Sequence, residues 1–172
     1  AALLLENAQL ISELQRRVDF ANAELREAYR QLESEKAKVE TLIDQMASPV
    51  VATDAENNIV LFNDAAGRAL GISPEEAIGK NAIVVIPVPE IAALFAADLD
   101  SEGGQIVDEL EIQREDGPPV TYRVSIALVR GPDGELMGKS LVMTDITELR
   151  ELDRMKTDLI SFVAHELNNP LG

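Results

Sequence analysis

An apolar residue recurs at every seventh position from Leu4 through Ile11, Val18, Leu25, Leu32 and Val39 to Met46, and neither proline nor glycine interrupts residues 1–47. This period suits an α-helix that buries one seam against another helix, and it conflicts with the two-residue alternation of a strand. The matching d positions are Asn7, Leu14, Ala21, Ala28, Glu35 and Leu42, so the seam is continuous at a and imperfect at d. At about 1.5 Å per residue the segment would form a rod of about 65 to 70 Å. Propensity alone stabilises such a helix too little, so its stripe needs a partner. β-branched Ile11, Val18 and Val39 at a, with Leu14 and Leu42 at d, favour two parallel strands. The g to e′ neighbours, Arg17 with Asn22, Glu24 with Tyr29 and Gln31 with Lys36, supply no good ion pair. With Asn7 and Glu35 softening the seam, two readings stand: a coupling element that shifts or rotates, and an ordinary dimerising rod.

Charge separates this segment from its neighbour. The chain of 172 residues carries 31 acids and 15 bases, a net charge of −16. Residues 48–147 hold 17 of the acids and only 6 of the bases. Nucleic acid and anionic membrane are therefore poor partners, because both demand basic patches that replace counterions. A solvated acidic surface accounts for the charge itself. No stretch of 18 apolar residues occurs, and Leu3-Leu4-Leu5 is too short for a membrane span or a signal peptide, so the reading is a soluble segment without membrane contact. With no cysteine there is no disulfide and no thiolate metal site, in keeping with a reducing cytoplasm.

Residues 48–147 read as a compact domain. Pro49 to Asp54 and Ile59 to Asn63 are short β-branched strands around an Asp54–Asn58 turn. Helical pieces come next: Asp64 to Leu70 stopped by Gly71, then Pro74 to Ile78 with Ser73 as N-cap and Glu76 completing a capping box, then Pro89 to about Leu99. Three strands, about Gln105 to Gln113, Val120 to Arg130 and Leu136 to Thr144, are separated by Arg114-Glu115-Asp116-Gly117-Pro118 and Gly131-Pro132-Asp133-Gly134 turns. Two strands, short helices and three strands predict an α+β fold with an antiparallel sheet backed by helices on one face. Gly103-Gly104 and Gly131 to Gly134 lack the Lys-Ser/Thr of a phosphate loop and read as turns. Strand alternation puts Asp108 opposite Glu109 and Glu111, which argues for a solvated strand over a metal site.

Val51-Ala52-Thr53-Asp54, Phe62-Asn63-Asp64-Ala65-Ala66, Leu70-Gly71, Ile78-Gly79-Lys80, Glu115-Asp116-Gly117 and Asp145-Ile146-Thr147, in that order, resemble a PAS domain over about residues 48–147. The resemblance implies that family's five-stranded antiparallel sheet and a role in sensing a small ligand, a cofactor or a partner, or in relaying strain. Haem-binding members need an axial ligand such as histidine, and residues 48–147 contain none. Photoactive flavin members and yellow-protein relatives need a cysteine, and the chain has none. A non-covalent flavin or small apolar molecule would be lined by Val51, Leu61, Leu94, Phe95, Ile126 and Met143; the plainer reading is that these residues are packed core. Residues Ala2 to Leu10 are also similar to the last helix of a GAF sensory domain.

After the last strand, Asp145 and Glu148 suggest a capping box that opens a second long helix. Leu149, Leu152, Leu159 and Val163, broadened by Met155 and Phe162, give it a bundle-type stripe. The only histidine, His165, lies three residues past Phe162, toward the edge of that stripe. On a helix His165 and Asn169 are four residues apart and Glu166 and Asn169 three, so the imidazole, carboxylate and amide share adjoining faces. Pro170 predicts a kink there.

Ser161-Phe162-Val163-Ala164-His165-Glu166-Leu167-Asn168-Asn169-Pro170-Leu171 resembles the phosphoacceptor box of sensor histidine kinases. By that resemblance His165 is the phosphoacceptor, Glu166 the neighbouring base, and Asn169 assists removal of phosphate from a partner. Attack on a γ-phosphate needs a neutral imidazole nitrogen, a form ordinary histidine offers near neutral pH. The implied organisation is a coiled-coil signalling helix (1–47), a PAS sensory domain (48–147) and a truncated exit helix with the phosphoacceptor box (148–172), flanking the sheet with coiled-coil helices. The resemblance implies a cytoplasmic parallel homodimer. ATP, Mg²⁺, an ATP-binding domain and a response regulator belong to the parent kinase, so this segment alone is expected to be inactive, with no cofactor or metal of its own. The alternative is a non-enzymatic dimeric PAS ligand-binding or scaffold module.

Overall fold

The computed structural model describes residues 1–114 and 117–169. The chain divides into two units, Ala1–Ile43 and Asp44–Gly172. The first is a single helix, α1 (Ala2–Asp44), with no buried residue along its 43 positions. Its a-position side chains are all exposed, Leu4 and Leu25 by 76% and 70%. Exposed ion pairs Arg17–Glu13 and Lys36–Glu40 decorate its surface, and pairs of this kind contribute only tenths of a kcal/mol, about 0.3 to 0.5. α1 ends at Asp44, earlier than expected, so Met46, the last member of the heptad series, lies beyond the helix.

In the second unit five antiparallel strands form one sheet: β1 (Val50–Asp54), β2 (Ile59–Phe62), β3 (Gln105–Ile112), β4 (Val120–Arg130) and β5 (Leu136–Asp145). Their spatial order is β2-β1-β5-β4-β3, so the last strand in sequence is the middle one in space. Between β2 and β3 run α2 (Asp64–Leu70), α3 (Pro74–Ala77), α4 (Ala82–Val85) and α5 (Pro89–Ala96). One element escapes the sequence reading: α4, whose Ile83-Val84-Val85 run carries strand propensity, is started by Asn81, whose side chain accepts from Ile83 N.

Period-two alternation places Val51, Val124, Ile126, Leu141 and Met143 on one face, fully buried under Ile91 and Phe95 of α5 and Leu99. Burying a side chain of that size stabilises by roughly 1.5 to 3 kcal/mol, which makes this face the main source of folding energy. Polar groups fix its edges. Asn63 is almost wholly buried; its Oδ1 accepts from Val50 N and Ala66 N, both at 2.9 Å, and its Nδ2 donates to Ser48 O at 3.0 Å. One side chain thus caps α2 and holds the start of β1. The capping box expected at Ser73 and Glu76 is present.

Gly138 of β5 faces the β1 backbone so closely that a Cβ there would lie 1.7 Å from Thr53 O. Next to it, Lys139 Nζ reaches across to the carbonyls of Phe95 and, at 3.1 Å, Ala97. The lysine therefore ties β5 to the end of α5, and burial lowers its pKa against the opposing pull of Asp98.

Candidate functional site

The exit helix, α6 (Thr147–Asn168), begins two residues after the central strand ends. Asp145 does not form the capping box expected with Glu148. The N-cap is Ile146, without a side-chain bond, and Asp145 sits one residue too early for that role. Its carboxylate instead accepts from Thr147 N at 2.9 Å and Thr147 Oγ1 at 2.6 Å. These bonds, the side-chain one foremost, hold the Asp145 carboxyl below the usual carboxylate range, with a smaller contribution from the charge of Arg114. Thr147 Oγ1 in turn accepts from Thr121 N at 3.1 Å, and Ile146 N donates to Thr121 O at 2.9 Å. The root of α6 is thereby bonded to β4 as well as continuous with β5.

A second attachment was not foreseen from sequence. Glu109 of β3 stands directly opposite Arg123 of β4 in the ladder, on the face away from Val124 and Ile126. Its Oε1 accepts from Arg123 Nη2 at 3.1 Å, and its Oε2 accepts from Arg150 Nε at 2.9 Å and from Arg150 Nη2. Hydrogen bonding from Arg150, then from Arg123, holds the Glu109 carboxyl below its ordinary value, and the same contact raises the pKa of Arg150. The expected alternation of Asp108 against Glu109 and Glu111 is seen, but Glu109 is an ion-pair partner of α6 rather than a merely solvated group. Its partner lies 41 residues away, beyond the reach of any local pattern.

His165 and Glu166 occupy the last turns of α6, both exposed, and the apolar stripe of Leu149, Leu152, Met155, Leu159 and Phe162 is exposed along the same helix. Consecutive residues point about 100° apart on a helix, so imidazole and carboxylate emerge on adjoining faces. Asn169 leaves the helix, as the break expected before Pro170 implies. It is the C-cap, with φ −108° and ψ 78°, the extended half of conformational space to which a residue before proline is biased. Asn169 thus stands at the helix end, one turn past His165. The expected kink at Pro170, Leu171 of the box and the Glu115-Asp116 turn lie outside the described residues.

Of the six residues named as a possible ligand lining, Val51, Phe95, Ile126 and Met143 belong to the buried core and Leu94 packs against it. Leu61 is on the other face: it pairs with Ala52, whereas the neighbouring pair Val51 and Phe62 is buried in the core. A cleft of about 490 Å³ opens elsewhere, between the end of α2, the Pro87-Val88 segment and the end of β3. Among the described residues no cluster of histidine, aspartate and glutamate is arranged to hold a metal.

A five-stranded antiparallel sheet in this order, with helices on one face and a helix leaving the central strand, defines a class of small α+β module built to connect flanking helices. Residues 37–146 match the family model of the PAS fold, and the chain belongs to the PAS family. It is similar to the sensor protein kinase WalK of Staphylococcus haemolyticus, with 27% identity over 161 residues that cover 94% of this chain and 26% of that protein. WalK of Staphylococcus aureus is 27% identical over the same share of this chain, covering 37% of that protein. The chain thus spans roughly a quarter to a third of the length of these relatives. The PAS domain of Bordetella pertussis BvgS superposes with a TM-score of 0.52 at 22% identity, over 76% of this chain and 98% of that domain, which shows the shared fold.

Proposed function

We propose that this chain is the sensor and transmission region of a two-component sensor histidine kinase, relaying a signal to autophosphorylation of His165. The observation that carries the reading is the origin of α6: the helix that bears the His165-Glu166 pair grows from the middle strand of a PAS sheet and is bonded to two further strands. Similarity to WalK sensor kinases across nearly the whole chain supports it. In this reading residues 1–47, 48–147 and 148–172 are the signalling helix, the sensory domain and the start of the phosphoacceptor helix. A neutral nitrogen of His165 attacks the γ-phosphorus of ATP, the bond to the bridging oxygen breaks, and ADP leaves. Glu166 holds the proton of the other nitrogen as positive charge develops. Asn169, outside the helix, is free to aid water in the reverse function of stripping phosphate from a response regulator.

The exposed seams of α1 and α6 support a parallel homodimer, since apolar stripes of that length are stabilised only by burial against a partner. ATP, Mg²⁺ and the response regulator engage domains of the parent protein, in the cytoplasm where ATP is supplied. The test is trans-phosphorylation: the chain is incubated with labelled ATP and the ATP-binding domain of a WalK-type kinase. Acid-labile phosphate on the wild type and none on His165→Gln is expected. Equal labelling of both would refute the assignment of His165, and no labelling of either would favour a PAS scaffold whose histidine is unused.

A further inference from the structure

The apolar interior of the PAS module is filled by its own side chains, yet two cavities open beside one another at its edge and share three walls, Arg68, Ala69 and Arg114. The larger is about 490 Å³, within the size class of small-molecule sites, roughly 300 to 1,000 Å³. Arg68 stands on the last turn of α2 and Arg114 just after β3. Neither forms an ion pair among the described residues. Among the described residues the larger cavity has no acidic residue in its lining, in a domain where acids outnumber bases 17 to 6. Arg68 has no ion-pair partner among the described residues, and Arg114 feels only the field of Asp145, whose carboxylate is already engaged by Thr147, so the cleft beside the two guanidinium groups favours an anion. The remaining walls, Leu70, Val88 and Ile112, are apolar, and Gln113 adds a neutral hydrogen-bonding group.

We propose that this cleft is a binding site for a small organic carboxylate with an apolar body. The fork of a guanidinium matches a carboxylate in two parallel hydrogen bonds, and the apolar walls take the rest of the molecule. A bare inorganic anion would satisfy the arginines and leave those walls without contact. The site borders the buried core at Leu70 and Ile112 and goes beyond the kinase reading, because binding is measured on this chain without phosphoryl transfer. The smaller cavity, lined also by Tyr122 and Asp145, places the same arginines next to the root of α6. Arg114 Nη2 donates to Tyr122 Oη at 3.4 Å, a long bond that a carboxylate would outcompete.

The test uses the ¹⁵N-labelled chain titrated with phenylacetate, phenylacetamide and inorganic phosphate, followed by amide shifts. Saturable shifts at Gly71, Val88 and Gln113 are expected with phenylacetate alone, weakened about tenfold in Arg68→Gln, as for loss of one charge-assisted bond. Arg114→Gln is expected to do the same, and Arg130→Gln, remote from the cleft, to leave binding unchanged. Arg68 makes no hydrogen bond among the described residues, so its variant keeps the fold and decides the matter if Arg114→Gln does not fold. No saturable shift, equal shifts with phenylacetamide, phosphate binding as tight as phenylacetate, or full binding by Arg68→Gln would overturn the proposal.

Discussion

Glu109 and Arg150, on the first and last elements of the second half of the sheet and its exit helix, are joined through Arg150 Nε at 2.9 Å, with Arg123 holding the other carboxylate oxygen at 3.1 Å. Because this pairing lowers the folded-state pKa of Glu109 below the ordinary glutamate value of about 4.3, its contribution is fully present above that value and is lost as pH falls through the lowered folded value. Glu109→Gln should therefore loosen the first turns of α6 at neutral pH. Faster amide exchange over residues 147–153 is the expected result, and wild type should approach it only in acid. Unchanged exchange in the variant would mean that the ion pair does not hold the helix. Asp54 and Asp145 have carboxyls lowered by Asn58 and Thr147 respectively, so acid destabilisation should run in the same direction at both.

Asn63 joins two elements through side-chain hydrogen bonds with Val50 N, Ala66 N and Ser48 O from an almost wholly buried position. Asn63→Ala leaves Val50 N and Ala66 N without their acceptor, and a loss of about 1 to 3 kcal/mol in urea unfolding is expected. A change within error would show that water replaces the amide at no cost.

Gly138 has no room for a side chain against Thr53 O. Gly138→Ala must separate β1 from β5 locally, which should cost roughly 1 to 3 kcal/mol or more and lower the thermal midpoint. Gly71, also at positive φ but with open space around its Cβ position, should cost less, of order 1 kcal/mol. The reverse ranking would contradict the close-approach argument.

The chain lacks cysteine, so a single introduced thiol is diagnostic. In a parallel pair Val18→Cys at an a position meets its own copy and oxidises readily to a cross-linked dimer, whereas Asp19→Cys on the outer face does not. Equal cross-linking at both positions would argue against the parallel seam.

Local chemistry made most of the fold legible. The bounds of β4 and α2, the Ser73–Glu76 capping box and the Gly71 helix stop follow from neighbours a few residues apart, and the structure matches them. Strand order did not follow from pattern, because side-chain alternation is silent about which strand a ladder adopts; the resemblance implied the five-stranded sheet, and the structure sets β5 between β1 and β4. α4 was missed because its four residues are too few to show a helical period, and only the Asn81 side chain starts it. Leu61 lies on the other face because its own strand is bulged: Ala52 pairs with Leu61 and Thr53 with Ile59, so counting by twos from buried Ile59 fails. At the candidate site the helical placement of His165 and Glu166 was legible from their local sequence, whereas the Glu109–Arg150 contact depends on tertiary placement alone.

The middle position of β5 limits how α6 can move. Sliding β5 lengthwise would break its ladders with both β1 and β4 and turn its buried residues Leu141 and Met143 outward. Piston-like displacement is thereby blocked at the helix root. Changes in twist, which both neighbours accommodate while their bonds persist, remain available. α6 is therefore rooted like a crank on a fixed axle: turning it disturbs fewer bonds than sliding it.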